Sequence, residues 1–163
     1  MRDDEFERLY ADEAAGLFSF LAYRTGDRAL AEDLLADAFE RALRARRKYD
    51  RRRASQKTWL YAIALNVLRD NARRRDAESR ALTRAAPGEP ERRDAGIDSV
   101  EHRDLLAGAL ASLAPEEREA IALRFGAELT LPEIADVLGE PRTTVEGRVY
   151  RALRKLRDRL DGD

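Results

Sequence analysis

The stretch TLPEIADVLGEPRTTVEGRVYRALRKLRDRL, from Thr130 to Leu160, decides how the C-terminal part of this chain folds. Thr130 followed by Glu133 fits a capping box at the start of a short helix, and Gly139 tolerates the positive φ with which such a helix commonly ends. A longer helix should follow, and apolar residues recur along one of its faces: Val145, Val149, Leu153, Leu156 and Leu160. The pattern predicts two helices joined by a tight turn, which is a helix-turn-helix.

The other faces of the longer helix are basic, with Arg148, Arg151 and Arg154 among the cations. The major groove of DNA is wide enough for one helix, and the phosphates beside it attract Arg and Lys. An ordinary pair of antiparallel helices with solvated arginines has the same pattern. The stretch alone favours the DNA-binding interpretation without excluding the ordinary pair of helices, so the rest of the chain has to decide.

The composition of the 163 residues favours helices throughout. Charged residues make up 39% and aromatic residues 7% of the chain, a balance typical of all-α proteins with small cores and large charged surfaces. There is no cysteine, and His102 is the one histidine, so we expect no disulfide, metal site or cofactor. The first residues are acidic, and no apolar run approaches the length of a membrane span. We therefore expect a cytoplasmic protein without membrane insertion.

The formal net charge of -1 hides a strong polarity along the chain. Residues 1–40 carry 4 Arg and 11 Asp or Glu, whereas residues 41–80 carry 14 Lys or Arg and 4 acids. An acidic segment followed by a basic one suggests two partners, one a protein and the other a nucleic acid.

Two amphipathic helices are predicted in the acidic segment, over residues 5–23 and about 28–47. The apolar positions of the second helix mark a buried side that includes Leu43. The opposite side is acidic and contains Glu32, Asp33, Asp37 and Glu40. Asp33 and Asp37 are neighbours on a helix surface, but no histidine, cysteine or apolar pocket that would make them a catalytic pair is evident. A solvated or partner-binding face is therefore the interpretation we favour.

A basic stretch, RARRKYDRRRASQK from Arg44 to Lys57, precedes a third predicted helix. Ser55 is the predicted N-cap of that helix, and an apolar stripe begins at Trp59. The positions predicted to be exposed are Tyr61, Asn66, Arg69, Asp70, Arg73, Arg74 and Arg75. Aromatic rings stack on unpaired bases while Arg and Lys hold the backbone, so this composition suits single-stranded nucleic acid. Trp59 equally fits the role of a core residue, and that alternative stays open.

Helical periodicity disappears over residues 80–98, where two prolines and two glycines accumulate as in a flexible connector. Helical patterning then resumes, and a further helix is predicted to start at Pro115, with Phe125 on one of its apolar positions. We therefore predict an all-α chain of two small helical domains, residues 1–79 and 99–163, joined by a flexible linker over residues 80–98. The C-terminal domain should have four helices and contain the helix-turn-helix.

Three stretches in this order carry a family resemblance. They are LYADEAAGLFSFLAYRTGDRALAEDLLADAFERAL from Leu9 to Leu43, KTWLYAIALNVLRDNARRR from Lys57 to Arg75, and SLAPEEREAIALRFGAELTLPEIADVLGEPRTTVEGRVYRALRKLR from Ser112 to Arg157. Together they resemble the small two-domain class of bacterial RNA polymerase sigma factors called extracytoplasmic-function (ECF) sigma factors. The three stretches are similar, in turn, to the polymerase-binding helices, the helix at the minus-ten promoter element and the domain at the minus-thirty-five element.

The resemblance implies a protein that binds core RNA polymerase and promoter DNA and captures unpaired bases of the non-template strand, without catalysing covalent chemistry itself. The implied polymerase-binding residues are Glu32, Asp33, Asp37 and Glu40. Those implied at the melted minus-ten element are Lys57, Trp59, Tyr61, Asn66, Arg69, Asp70, Arg73, Arg74 and Arg75. Those implied at the duplex minus-thirty-five element are Arg142, Thr143, Thr144, Glu146, Arg148 and Arg151. Members of the family are commonly held inactive by an anti-sigma factor, which is a further expected partner.

The chain departs from the family pattern at three places. Ala36 stands where many relatives carry a polar residue, and Leu65 where they often carry Arg. Glu146 and Gly147 replace a frequent Lys-Ser pair at the start of the recognition helix. An acid at that position repels phosphate but accepts a hydrogen bond from a cytosine amino group, so it can select bases rather than add affinity.

Two other functional classes fit parts of the sequence. A conventional transcriptional regulator would bind duplex DNA through the helix-turn-helix without polymerase, with residues 1–80 as a sensing or dimerising domain. It has no need, however, for the acidic helix followed by the basic one. A helical adaptor that binds only protein would not explain the basic stretch. The sequence therefore favours a sigma factor.

Overall fold

The computed structural model describes the backbone of residues 1–82 and 100–162 and the side chains of residues 1–82 and 105–162. Every regular element in these residues is helical, so the predicted all-α class is confirmed. The chain divides into two compact units, Met1–Asp94 and Ala95–Asp163. Residues 80–82 still belong to a helix, and most of the predicted linker lies outside the described residues, so the predicted domain limits stay a prediction. Within those residues, no helix is long and apolar enough to span a bilayer.

Three helices that pack against one another form the N-terminal unit: α1 (Asp3–Thr25), α2 (Arg28–Ala45) and α3 (Gln56–Leu82). Gly26 has a φ of 68°, which lets α1 end, and the Asp27 carboxylate accepts a hydrogen bond from the Leu30 amide at 3.1 Å to begin α2. The predicted cap of α3 is confirmed, because the Ser55 hydroxyl accepts a hydrogen bond from the Thr58 amide at 3.1 Å.

The core of this unit is built from apolar side chains of all three helices: Leu17, Phe20, Leu21, Ala31, Ala38, Ala42, Leu60, Ala64, Leu65 and Val67. Leu65 is 2% exposed, so the position at which relatives often carry Arg is a core position in this chain. The prediction that Leu43 is buried is wrong, because Leu43 is 42% exposed at the end of α2 while the adjacent Ala42 takes the inward position.

The C-terminal unit contains four α-helices in its described residues: α4 (Val100–Ala111), α5 (Pro115–Ile121), α6 (Leu131–Leu138) and α7 (Arg142–Asp161). A π-helical turn, Ala122–Gly126, continues α5. The capping box that begins α6 is confirmed, with the Glu133 amide 3.3 Å from the Thr130 hydroxyl and the Thr130 amide 3.1 Å from the Glu133 carboxylate. Helix α7 packs against α4, α5 and α6.

The predictions that Leu153, Leu160 and Phe125 are buried are wrong. Val145, Val149 and Ala152 form the buried side of α7, whereas Leu153 is 42% and Leu160 39% exposed. A helix has 3.6 residues per turn, so a row spaced by four gradually turns away from the core and Ala152 replaces Leu153 as the inward residue. Phe125 is 49% exposed because the helix widens into the π-helical turn there, where α-helical spacing no longer applies.

Candidate nucleic-acid and protein interfaces

The acidic side of α2 lies at the surface as predicted, with Glu32, Asp33 and Glu40 exposed and Asp37 partly exposed. Asp37 accepts from Arg41, whose Nε lies 3.3 Å from the Asp37 Oδ1, and Glu40 is paired with Arg44. Both pairs join residues four apart, which is the usual spacing of ion pairs on a helix. This surface is therefore acidic but partly neutralised from within α2.

Arg41 also joins α2 to α3, because its Nη1 donates to Asp70 Oδ2 at 2.8 Å. The hydrogen bond from Arg41 is the largest cause that lowers the pKa of Asp70, and the same bond raises the pKa of Arg41. Asp70 lies 3.9 Å from Arg73 as well. The α2 residues predicted to face polymerase and the α3 residues predicted to face DNA are thus connected by one guanidinium.

The second half of α3 is a long exposed surface. Every residue from Ala72 to Leu82 is exposed, and Asn66 and Arg69 are exposed one to two turns earlier. The predicted cations Arg73, Arg74 and Arg75 lie at the start of this exposed half. The structure therefore places these predicted DNA contacts together at the surface of α3.

Tyr61 was predicted to be exposed, and that prediction is wrong. Its side chain is fully buried, and its ring lies 6.1 Å from the ring of Phe20 on α1. Tyr61 precedes the buried Ala64, Leu65 and Leu68 by three, four and seven residues, so it lies on the inward face of α3. We therefore remove Tyr61 from the candidate DNA contacts.

Trp59 is partly buried against the basic loop that precedes α3. Its ring is 5.2 Å from that of Tyr49, and the Tyr49 hydroxyl donates to the Ala54 carbonyl at 2.8 Å, which closes the loop on itself. Burial raises the pKa of the Tyr49 phenol. Trp59 is thus neither a core residue nor a fully exposed one, and Lys57 lies partly exposed beside it.

The start of α1 anchors the same loop. Asp3 accepts from Arg46 Nε at 2.9 Å, and Glu5 accepts from Arg51 Nη2 at 2.9 Å. The pKa of Glu5 is lowered, first by a hydrogen bond from the Arg2 amide and then by the nearby guanidinium groups. These contacts join residues more than 40 positions apart, so no local pattern in the sequence predicted them.

Five of the six residues predicted to meet duplex DNA are exposed on the first turns of α7: Arg142, Thr143, Thr144, Glu146 and Arg151. Arg142 Nε lies 3.4 Å from Glu146 Oε1. The sixth residue, Arg148, differs from the others because its side chain is only 20% exposed and both of its terminal nitrogens donate to Glu140, with Nη2 2.9 Å from Oε1.

Sequence reasoning missed Tyr150, which is 68% exposed on α7. Tyr150 lies three residues after Gly147 and seven after Thr143, so these positions share the outward face of the helix. A side chain at Gly147 would meet the guanidinium of Arg151, because a Cβ placed there would be 3.1 Å from Arg151 Nη1. The glycine therefore leaves room for Arg151 to lie along the helix surface.

Helix α7 is held on α5 by an ion pair at the other edge of the unit. Lys155 Nζ lies 2.9 Å from each carboxylate oxygen of Glu117, a residue that is 7% exposed and also accepts from the Ala114 amide at 3.2 Å. The hydrogen bond from Lys155 is the largest cause that lowers the pKa of Glu117. In the part of the chain that is described, no three His, Cys, Asp or Glu side chains form a group that could hold a metal ion.

Both halves of the chain match family descriptions. Residues 9–78 match "Sigma-70 region 2", which covers most of α1 to α3, and residues 109–158 match "Sigma-70, region 4", which covers α5 to α7. The solved structure of CnrH in complex with the cytosolic domain of CnrY is similar, with a TM-score of 0.71, 28% sequence identity, and coverage of 99% of this chain and 91% of that one.

Two curated relatives span both halves. The ECF RNA polymerase sigma factor SigL of Mycobacterium tuberculosis is 31% identical over 152 residues, which cover 91% of this chain and 85% of SigL. The ECF RNA polymerase sigma factor BldN of Streptomyces coelicolor is 30% identical over 164 residues, and this chain spans 98% of its own length but 62% of BldN. The match to SigL over most of both chains, together with the two sigma-70 regions in their expected order, shows that the chain belongs to the family of ECF RNA polymerase sigma factors.

Proposed function

We propose that this protein is an alternative sigma factor that binds core RNA polymerase and directs promoter recognition, DNA melting and transcription initiation. The observation that carries the proposal is that one helical unit presents an acidic surface on α2 and a basic surface on the adjoining α3. A conventional duplex-binding regulator needs neither surface and is not favoured. As a member of this family, the protein is an initiation factor and not an enzyme.

The acidic side of α2 is the proposed contact with polymerase. Its residues Glu32, Asp33, Asp37 and Glu40 are charged and accessible, and such groups steer association with a basic partner. Because polymerase and promoter DNA are the proposed partners, we propose that the protein acts in the cytoplasm.

The exposed side of α3 is the proposed contact with the melted minus-ten element. Arg73, Arg74 and Arg75 would neutralise phosphates of the unpaired strand, while Asn66 and Arg69 lie closer to the packed half of the helix. Trp59 is partly exposed and packs against Tyr49, and we propose that its ring stacks on an unpaired base beside Lys57. Asp70 takes part in the proposed contact with the melted element through its ion pair with Arg41, which joins α3 to α2.

The outward face of α7 is the proposed contact with the duplex minus-thirty-five element. The N-terminal residues of a recognition helix contact base edges in the major groove. Arg142, Thr143, Thr144, Glu146 and Arg151 lie there, and the exposed Tyr150 ring adds an apolar surface for a thymine methyl group.

We also propose a protein partner of the anti-sigma type. CnrH, whose structure is similar, is bound to the cytosolic domain of CnrY in its solved structure. Large apolar side chains are exposed on both units, among them Tyr10, Leu43 and Leu153, and a protein partner would cover such side chains.

The test is transcription by core RNA polymerase on fragmented genomic DNA, with and without the purified full chain, followed by sequencing of transcript ends. We expect a set of start sites that requires the protein and shares sequence elements near positions minus ten and minus thirty-five. A protein that neither co-purifies with core polymerase nor supports initiation, yet binds duplex DNA tightly alone, would instead be a conventional regulator.

A further inference from the structure

Glu140 and Arg148 form an ion pair across the turn of the helix-turn-helix, which we call the Glu140–Arg148 clamp. Glu140 lies in the turn, and Arg148 lies on the second turn of α7. Their side chains are 33% and 20% exposed, and both terminal nitrogens of the guanidinium donate to the carboxylate. Two parallel hydrogen bonds of this kind fix the orientation of both groups.

The backbone around Glu140 is fixed as well. Gly139 adopts a φ of 65°, and the Glu140 amide donates to the Ala135 carbonyl at 3.1 Å, so the turn is tied to the end of α6. On the other side, α7 begins after Pro141, which offers no side-chain acceptor for the free amides of the first turn. The clamp therefore holds the start of a helix that has no side-chain cap, and it places a carboxylate near the positive end of that helix.

The pairing of Arg148 with Glu140 makes its guanidinium less available to a base than that of an unpaired arginine. Bidentate recognition of guanine by an arginine requires two free donors on one edge of the guanidinium. In Arg148 the edge formed by Nη1 and Nη2 is occupied by Glu140, so only the edge formed by Nε and Nη2 is left for another partner. Arg148 also precedes the buried Ala152 by four residues, so it lies on the flank of α7 and away from the outward face of Thr143, Gly147 and Tyr150.

We propose that Arg148 is a positioning residue that sets the angle of the recognition helix through the Glu140–Arg148 clamp and does not itself contact a base. The inference rests on the proposed function of α7 in duplex recognition. It assigns base selection to the exposed residues of the outward face. It also assigns a role in promoter recognition to Glu140, a residue of the turn.

The test uses core RNA polymerase, the full chain and a pool of promoter DNA in which the minus-thirty-five region is randomised. Glu140→Gln, Arg148→Ala and the charge-exchanged double variant Glu140→Arg/Arg148→Glu are compared with the wild-type chain by sequencing the templates that yield transcripts. We expect each single variant to lower initiation by a similar factor on all templates, about two- to fivefold for a partly exposed ion pair, with unchanged base preference. The double variant should recover most of the loss.

A base-reading Arg148 gives a different result, and it would overturn the proposal. Arg148→Ala would then lose the preference at one base pair by about 5- to 150-fold, while Glu140→Gln would keep it and the double variant would not recover. Arg157→Ala is the matched control. Arg157 is also an arginine of α7, but it lies near the C-terminal end of the helix, where its Nε is 3.6 Å from Asp161 Oδ2.

If no template yields transcripts, the result counts against the proposed function itself. A second measurement, on the free chain, then still tests the Glu140–Arg148 clamp. Hydrogen exchange of the backbone amides over residues 135–148 should quicken in Glu140→Gln and Arg148→Ala, while exchange in the N-terminal unit stays unchanged. Unaltered exchange over residues 135–148 in both variants would refute the clamp.

Discussion

Glu117 is a carboxylate at a largely buried position of the C-terminal unit, and its partner Lys155 lies on α7, the proposed DNA-binding helix. The carboxylate keeps its charge there because three hydrogen bonds, two from Lys155 and one from the Ala114 amide, replace the water that it loses. The side chain of Lys155 remains 52% exposed. One residue thus links the start of α5 to α7.

We expect the stability of the C-terminal unit to depend on pH through Glu117. The hydrogen bond from Lys155 holds the pKa of this carboxyl below its ordinary value in the folded protein, so protonation favours the unfolded chain. The stabilisation is present above that ordinary value and is lost as the pH falls through the lowered folded value. Glu117→Gln should therefore lower the free energy of unfolding by about 1 kcal/mol near neutral pH, a modest loss because solvent screens the half-exposed Lys155. As the pH falls, the variant should lose less stability than the wild-type chain.

Thermal unfolding followed by circular dichroism at several pH values checks this expectation. The exposed Glu116, which is adjacent in sequence, supplies the control variant Glu116→Gln. Equal losses of melting temperature in acid for the wild-type chain and Glu117→Gln would contradict the assignment.

Helix α3 combines two environments in one element. Its first half packs into the core through Leu60, Ala64 and Val67, whereas its last eleven residues, Ala72 to Leu82, are all exposed. The residues of this half include Arg, Ala and Glu, which have high helix propensity, and the packed half supplies the helical start from which it continues. The exposed half therefore presents the cations Arg73, Arg74 and Arg75 on an ordered helix.

The variant Arg73→Ala/Arg74→Ala/Arg75→Ala should bind single-stranded promoter DNA more weakly in the holoenzyme. Each phosphate contact with single-stranded DNA contributes about 0.7 to the slope of log affinity against log salt concentration, so losing three contacts should reduce that slope by about 2. Titrations with a non-template oligonucleotide at several salt concentrations measure the slope.

Arg8→Ala is the control for this variant, because Arg8 is an exposed cation of α1, with a side chain 77% exposed. A slope that is unchanged in the triple variant would place the melted strand elsewhere on the protein.

The ends of the helices were predictable from local signals, and their faces were less so. Thr130, Glu133 and Gly139 begin and end α6 as their residue types predict, and Ser55 caps α3, because caps depend on neighbours within a few residues. An apolar stripe alone does not fix which residues face inward. Tyr61 packs against Phe20 of α1, Leu153 lies on a four-residue row that turns away from the core, and Phe125 lies in the π-helical turn.

The ion pairs between residues far apart in the chain could not be predicted from the sequence either. Arg41 with Asp70 and Glu117 with Lys155 join residues 29 and 38 positions apart, and nothing in the local pattern distinguishes these charges from solvated ones. The Glu140–Arg148 pair is separated by eight positions, but Glu140 lies in the turn between Gly139 and Pro141, and that turn makes the geometry of the pair a property of the fold. The positioning role proposed for Arg148 therefore could not be inferred from the sequence alone.

At the scale of the whole molecule, charge is separated along the chain rather than balanced within each segment. The acids of α1 and α2 precede the cations of α3, although the formal net charge is only -1. The N-terminal unit thus offers surfaces of opposite charge on neighbouring helices, which suits simultaneous contact with a basic protein surface and with DNA.

Asp33→Arg should weaken association with core RNA polymerase by about tenfold, which corresponds to about 1.4 kcal/mol, because a cation would replace an anion in the proposed interface. The melting temperature of the free chain should stay nearly unchanged, since Asp33 is exposed. Affinity for core polymerase can be measured with a fluorescently labelled chain.

Glu7→Arg, an exposed charge reversal on α1, is the control for Asp33→Arg. If both variants bind core polymerase as tightly as the wild-type chain, the acidic side of α2 is not the contact surface.

The guanidinium of Arg41 has a thermodynamic consequence because it serves a carboxylate on each of two proposed binding surfaces. A polymerase cation that engages Asp37 changes how strongly Arg41 is held by Asp70, and DNA that approaches Asp70 changes how strongly Arg41 is held by Asp37. Linkage requires that these two effects on binding free energy be equal. If polymerase and promoter DNA bind these two surfaces, each ligand would therefore alter the affinity for the other through Arg41.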